Sequence, residues 1–456
     1  MNQEEAKKIM EDWDRRDFLK GGSLTALISM LGGVEMRAPA QDANSAEPKP
    51  PAFKVNVGVI GLGPWGREIV HTLLKQPEAN VHTLCDTYPA MMRRMRRYAP
   101  DAKKIENYKE MLADKEVQAV CIATGTHQHK QIVIDALKAG KHVYCEAPMA
   151  HTIEDAREIA KVARESYAQV FQTGLNYRSD PQRHFILDFF WSGAAGKTVM
   201  SRSQWHKKTS WRYASPNADR EKNINWRLNK NLSPGIVGEM GIQQIDNNNW
   251  FLKRKPVAVT GFGGIMHWND GRTVPDTVQA MFEYEDKGNF IYDAALTNSF
   301  ESDYETIYGT YAAIMMRGTK AWMFKEVDSP LLGWEVYARK DEFYKETGIA
   351  LVANATKLIA ARDQDIEDEK YTNTPLSHSM AAFLHNSNEV GAAINNFKET
   401  FGFLDKDSVL DYLKSLNLKP AAGYQEGFEA TVTVLKANEA VLGAKRIEYK
   451  PEWFQV

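Results

Sequence analysis

The stretch Lys54-Val55-Asn56-Val57-Gly58-Val59-Ile60-Gly61-Leu62-Gly63-Pro64-Trp65-Gly66 decides how this chain is read. Its apolar residues alternate and then run on, as in a short buried strand. Gly61, Gly63 and Gly66 follow at the spacing G-x-G-x-x-G, and the residues from Arg67 to Leu74 carry apolar side chains at helical intervals. In such a unit the first glycine permits the tight turn, the second lets the backbone approach a pyrophosphate, and the third lets helix and strand pack closely. The helix N-terminus supplies free N–H groups and a partial positive charge. The motif alone says little; its place between a strand and a helix gives it weight. A second apolar run from Asn80 to Cys85 ends in Asp86, twenty residues after Gly66. A carboxylate there accepts hydrogen bonds from an adenosine ribose. The unit reads as dinucleotide-binding, with Gly61, Leu62, Gly63, Trp65, Gly66 and Asp86 at the nucleotide. An ordinary βαβ unit that binds nothing is the alternative.

A length of 456 residues leads to an expectation of two domains. With 43% hydrophobic and 25% charged residues the chain can build a sizeable core. A formal net charge of -2 gives no electrostatic reason to expect nucleic acid or an anionic membrane as partner. The three cysteines, Cys85, Cys121 and Cys145, each lie in or at the end of an apolar run, so buried free thiols are expected rather than a disulfide framework.

Residues 1–40 read as a targeting segment. Asp14-Arg15-Arg16-Asp17-Phe18-Leu19-Lys20 resembles the twin-arginine export signal, with Asp14 where Ser or Thr is usual. Residues 21–31 form a short apolar stretch, and Ala38-Pro39-Ala40 offers an A-x-A cleavage site. The alternative is a basic, frayed helix. Export implies a periplasmic or otherwise extracytoplasmic protein with no membrane span after processing. A nucleotide carried out of the cytoplasm has no free pool to exchange with, so it is expected to be tightly held. Residues 41–53, with Pro48, Pro50 and Pro51, read as a linker.

Further strands are expected at 117–124 and 141–145. Ligands in open parallel sheets sit at the carboxyl ends of the strands. That places Thr124, His127, His129, Glu146 and Pro148 at the cofactor crevice; for His127 and His129 a structural role at a helix start is the alternative. Arg93 and Arg94 would suit the 2′-phosphate of NADP, but Asp86 would repel it, so NAD is favoured. No metal-ligand spacing is present, and two histidines at i, i+2 do not make a site.

These pieces resemble the Gfo/Idh/MocA oxidoreductases, the glucose–fructose oxidoreductase and inositol dehydrogenase group. The matching residues are the glycine loop, Asp86, Ala-Thr-x-Thr-His-x-His at 123–129, Glu146-x-Pro148 and Asn176-Tyr177-Arg178-x-x-Pro181. Val274-Pro275-Asp276-Thr277, Arg317-Gly318-Thr319-Lys320 and the helix around Ala437-Asn438-Glu439-Ala440 extend the likeness through the second half. The resemblance implies an α/β fold. A Rossmann domain (doubly wound parallel sheet) would span 54–180, and a C-terminal α/β domain with a large, mostly antiparallel sheet would span 181–456. It implies a homo-oligomer, and adds Arg178 at the domain junction to the cofactor residues.

Two departures from the family pattern bear on the chemistry. The family's Glu-Lys-Pro lysine is Ala147 here, which carries no proton. The histidine of Asp-x-Gly-x-His-x-x-Asp is Gln243, with Glu239 in the first acidic place and Asp246 in the last. A glutamine orients a hydroxyl but is no acid or base near neutral pH. Candidates for relocated chemistry are Glu239 and Asp246, expected on one helical face, together with Tyr177 and His206. His206 sits in the segment 204–212, rich in tryptophan and cations, which reads with Asn225-Trp226-Arg227 as a wall for a sugar. An irregular loop with packed tryptophans is the alternative.

The resulting expectation is an exported NAD-dependent oxidoreductase. It would move a hydride between a secondary alcohol of a sugar or glycoside, C3 by family precedent, and a tightly bound nicotinamide, with an external redox partner. A redox-neutral NAD-dependent glycosidase and a non-catalytic sugar-binding protein are the alternatives. The segment 324–375 is charged and mixed and carries no readable function.

Overall fold

The computed structural model describes residues 53–332, 335, 340–343, 346–351, 373–402 and 405–456. The export signal at 1–40 and nearly all of the linker lie outside the described residues, as does most of 333–372.

The first half builds a parallel sheet. β1 (Val55–Ile60) leads into α1 (Pro64–Leu73), β2 (Ala79–Cys85) into α2 (Pro89–Met95), and β3 (Lys103–Ile105) into α3 (Tyr108–Ala113). β4 (Ala119–Ile122) is followed by α4 (His129–Lys138), and β5 (His142–Cys145) by α5 (Ile153–Glu165) and β6 (Phe171–Thr173). The strand order is β3-β2-β1-β4-β5-β6, all parallel, so the order reverses between β1 and β4. That reversal opens a crevice at the carboxyl ends of β1 and β4. β4 and β5 are buried at every residue, because helices cover both sheet faces. α5 shows how local sequence starts a helix: the Thr152 side chain accepts the Asp155 N–H at 3.2 Å, and Glu154 and Asp155 sit in the first turn. Its Ile153, Ala156, Ile159, Ala160 and Ala163 form the buried stripe.

The second half continues with α6 (Pro181–Trp191), β7 (Thr198–His206), α7 (Ala218–Ile224), α8 (Gly235–Glu239) and α9 (Ile242–Leu252). Then come β8 (Ala258–Gly264), β9 (Thr277–Glu283), β10 (Asn289–Ala295), β11 (Asp303–Gly309), β12 (Ala312–Arg317), β13 (Lys320–Lys325), β14 (Lys340–Phe343) and β15 (Glu346–Leu351). α10 (Pro375–Phe401), α11 (Lys406–Lys414), α12 (Tyr424–Gly443) and β16 (Arg446–Glu448) end the chain. The sheet order is β14-β15-β13-β12-β11-β7-β10-β9-β8-β16, antiparallel except for the β7–β10 pair. One face packs on α8, α9 and α12 through Val278, Ala280, Phe282, Phe290 and Tyr292. The other exposes Phe262 and Met281.

Two features depart from the sequence reading. α10 follows the large sheet in the chain but packs its Leu376, Met380, Phe383 and Leu384 with Ile69, Leu73 and Met95 on the parallel sheet, so a division at residue 180 does not divide the packing. The expected single helix through Glu239 and Asp246 is broken at Met240–Gly241. A Cβ on Gly241 would stand 2.4 Å from the Val237 carbonyl and 2.8 Å from the Tyr292 ring, so the chain presses onto β10 there and starts a new helix. The two carboxylates consequently point to different partners. All three cysteines are buried free thiols, and burial together with Asp86 and Glu110 pushes Cys85 up to about 12.

Candidate active site

The glycine loop meets its expected constraints at two positions. Gly61 has φ +91°, and a Cβ there would lie 2.7 Å from the Ala123 carbonyl. A Cβ on Gly66 would lie 1.9 Å from the Gly61 carbonyl. At Gly63 nothing stands within 4 Å, so the backbone faces open space. No side chain caps α1, and its first turn holds no acidic residue. These unspent donors beside a bare glycine suit a pyrophosphate. Asp86 accepts the Leu62 N–H on Oδ2 at 2.8 Å and the Tyr88 N–H on Oδ1 at 2.8 Å, which holds the carboxylate at the end of β2. Its remaining lone pairs suit ribose hydroxyls. Across the crevice the Thr124 hydroxyl is buried without a partner. The residues present therefore fit a dinucleotide. Arg93 and Arg94 are exposed on α2.

His129 does not face the crevice. Its buried ring lies between the Pro148 carbonyl, 3.1 Å from Nδ1, and the Thr124 carbonyl, 3.3 Å from Nε2. Burial holds its pKa down to about 4, so the ring is neutral, and its single N–H donates to one of these two carbonyls. His127 is half-buried against Trp226, with ring centroids 5.7 Å apart, and burial with the neighbouring His151 lowers its pKa.

Glu146 lies at the carboxyl end of β5 and remains partly exposed. The Tyr144 hydroxyl donates to its Oε1 at 3.0 Å, and the Trp65 indole bonds to the same carboxylate from the glycine loop. Burial pushes Glu146 up to about 7, against the pull of Trp65, Tyr144, the Ala147 N–H and Arg227.

Glu239 sits across the crevice and joins the two halves of the molecule. Its Oε1 accepts the Thr126 hydroxyl at 3.1 Å and the Ser233 hydroxyl at 3.2 Å, while Oε2 accepts Arg227 Nε at 3.1 Å. Burial raises its pKa and these partners oppose the rise. Arg227 lies 5.0 Å from the Trp226 ring centroid and 5.9 Å from that of Trp211. The crevice thus holds a guanidinium paired with the Glu239 carboxyl and indole faces beside it. Aromatic faces flanking charged and polar donors suit a polyhydroxylated ring. The roles of Thr126, Ser233 and Tyr144 escaped the sequence reading: Thr126 meets Glu239 across 113 residues, and Ser233 and Tyr144, though six and two residues from their carboxylates, are common residue types with no motif to mark them.

Other expected catalytic residues are placed elsewhere. Asp246 is bound on both oxygens by Arg178, through Nε at 2.8 Å and Nη2 at 2.9 Å, and Arg178 also lies 5.3 Å from the Trp250 ring. Neither is free: Asp246 is spent as an ion pair, and Arg178 serves it rather than a cofactor. Tyr177 lies half-buried with Arg183 4.2 Å from its ring centroid, and burial with the Glu305 carboxylate raises its pKa beyond any working range. His206 bonds Asp293 at 2.8 Å. By strand alternation it lies on the sheet face opposite Trp205, which packs into the core, so it is no part of this crevice. Gln243 donates to the Gly174 carbonyl at 2.5 Å and accepts the Asn176 N–H at 3.0 Å, so its amide is a backbone brace.

Comparison with known proteins agrees with this architecture. Residues 55–174 match the oxidoreductase family with NAD-binding Rossmann fold, and residues 188–315 match the GFO/IDH/MocA C-terminal domain. A 1,5-anhydro-D-fructose reductase of Ensifer adhaerens is 26% identical over 267 residues, covering 57% of this chain and 75% of that protein. A glycosyl hydrolase family 109 protein of a Shewanella species is 30% identical over 174 residues, but these span only 34% of this chain and 38% of that relative. The solved structure of a levoglucosan dehydrogenase in complex with NADH superposes with a TM-score of 0.63 at 16% identity, over 87% of this chain and 99% of that one. At that identity the likeness concerns the fold alone.

Proposed function

Since the chain belongs to the Gfo/Idh/MocA oxidoreductase family, we propose that it exchanges a hydride between a secondary alcohol of a sugar or glycoside and NAD. The observation that carries this reading is the intact nucleotide cradle, with Gly63 bare and α1 uncapped, opening onto a crevice walled by Trp226, Arg227 and Trp211. The relative named for 1,5-anhydro-D-fructose supports a sugar as substrate. Asp86 supports NAD over NADP, because a carboxylate at the ribose repels a 2′-phosphate. The nicotinamide, when bound, supplies the acceptor or donor for the hydride. The protein's residues do the rest: Gly61 and Gly66 shape the loop, Asp86 anchors the ribose end, and Glu239 ties Arg227 to the nucleotide-side loop at Thr126. C3 of a hexopyranoside is the proposed locus, giving a 3-keto product. The Arg15-Arg16 signal supports export through the twin-arginine route with the nucleotide already held.

Anaerobic mixing of the purified, as-isolated protein with a panel of sugars and glycosides, followed at the reduced-nicotinamide band with product analysis, tests this reading. Bound nicotinamide reduced by a glycoside and reoxidised by the keto form supports it. No retained nucleotide and no spectral change with any sugar sinks it in favour of a binding protein. A redox-neutral glycosidase is a second reading, favoured by the 30% identity to the family 109 protein. Aglycone release with no net change in nicotinamide redox state would select it.

A further inference from the structure

With Ala147 and Gln243 in the family's proton-carrying places, the crevice needs another group to take the hydroxyl proton. We propose that Glu146 is that group, exchanging the proton with the substrate hydroxyl from the carboxyl end of β5; this rests on the oxidoreductase reading above. Glu146 directly precedes Ala147 at the carboxyl end of β5, beside Trp65 of the glycine loop, and Arg227 of the crevice wall acts on its carboxyl. Glu146 and Glu239 are both half-buried, but Glu239 has both oxygens engaged, Oε1 by Thr126 and Ser233 and Oε2 by Arg227 in an ion pair, whereas Glu146 accepts from the uncharged donors Tyr144 and Trp65. Asp246 is spent on Arg178, and His206 lies on the far face of the large sheet.

The surroundings of Glu146 are those of a tuned acid. Tyr144 and Trp65 donate to its carboxylate, and the Tyr144 hydroxyl also meets Asn176 Oδ1 at 3.0 Å and Ser379 of α10. Oε2 is packed against Gly174, where a Cβ would stand 2.9 Å away and displace it. The charged and titratable groups that face it are Arg227, Tyr144, and the thiols of Cys121 and Cys145, which stay protonated. A group titrating near neutrality serves as base in one direction and acid in the other. In oxidation the Glu146 carboxylate takes the hydroxyl proton while the hydride leaves the same carbon, with its electron pair, for the oxidised nicotinamide. The products are a ketone, the reduced nicotinamide and neutral Glu146.

The test compares wild type, Glu146→Gln, Tyr144→Phe and His127→Gln, each loaded with nucleotide. Oxidised nicotinamide carries a positive charge that the reduced form lacks, so its binding favours the Glu146 carboxylate. Calorimetry in two buffers of different ionisation enthalpy should show up to about half a proton released when wild type binds NAD+ at pH 7, and none from Glu146→Gln. In single turnover with a glycoside that reduces the wild-type cofactor, Glu146→Gln should lose about 100-fold in rate and lose the titration limb near pH 7. Tyr144→Phe removes a donor to the carboxylate and should move that limb to higher pH, which keeps the proposal testable if Glu146→Gln fails to fold. A wild-type limb persisting in Glu146→Gln, or vanishing only in His127→Gln, overturns the assignment. If no sugar reduces the wild-type cofactor, the oxidoreductase reading itself has failed, and the calorimetric proton count still reports on Glu146.

Discussion

Replacing Glu146 by glutamine should change the pH dependence of stability by a calculable amount. The carboxyl is raised from 4.5 to about 7 in the folded protein. At 1.36 kcal/mol per pKa unit, that rise corresponds to about 3 kcal/mol. Below the unfolded value, the group is protonated in both states and costs nothing. Between the two values the unfolded chain ionises while the native protein keeps its proton, so native stability falls as pH rises. Above the native value both states are ionised and the full penalty, about 3 kcal/mol, remains. The substituted glutamine does not titrate, and Tyr144 can still donate to its amide oxygen. The stability of Glu146→Gln minus that of wild type should therefore climb by about 3 kcal/mol between pH 4.5 and pH 8, whatever constant offset the lost charge introduces. Urea unfolding of both proteins at four pH values gives the difference directly, because all other titrating groups cancel. A difference that stays flat over this range, or that falls, refutes the reasoning.

Three further outcomes are expected. Gly66→Ala forces a Cβ to 1.9 Å from the Gly61 carbonyl, so it should cost about 1–3 kcal/mol of stability and abolish nucleotide retention, read by thermal unfolding and by the nucleotide released on denaturation. Asp86→Ala frees the Leu62 and Tyr88 N–H groups and removes the negative charge at the ribose end; the NAD-over-NADP affinity ratio should fall at least about tenfold, and an unchanged ratio in direct binding would show that Asp86 does not face the ribose. Arg178→Ala leaves Asp246, only 6% accessible at its side chain, without its bidentate partner, which should destabilise by about 3–5 kcal/mol in urea unfolding.

Much of the nucleotide half was legible from local sequence. Gly61 and Gly66 are written as glycines because a turn at positive φ and a helix packed on a carbonyl exclude every other residue. Apolar runs such as Val57 to Ile60 mark strands buried on both faces. The catalytic half was far less legible. Glu239 and Asp246 looked equivalent, seven residues apart on a presumed helix, until Gly241 pressing on Tyr292 broke it between them. His206 looked like part of a sugar wall, but strand alternation sends it to the opposite face from Trp205.

What the sequence alone determined was local: the strands and the glycine turn of the nucleotide half, and that the first loop accepts a dinucleotide. These follow from short-range sterics and periodicity, which a few neighbouring residues encode. What only the tertiary structure decided was which polar groups are already spent. Asp246 is taken by Arg178, Glu239 by Thr126 and Arg227, and Gln243 by the backbone at Gly174 and Asn176. Glu146 is left partly exposed under Trp65 and Tyr144. A carboxylate's chemistry depends on burial and on the donors brought to it, and three of those donors, Arg178, Thr126 and Trp65, come from 68, 113 and 81 residues away. No local pattern carries that information.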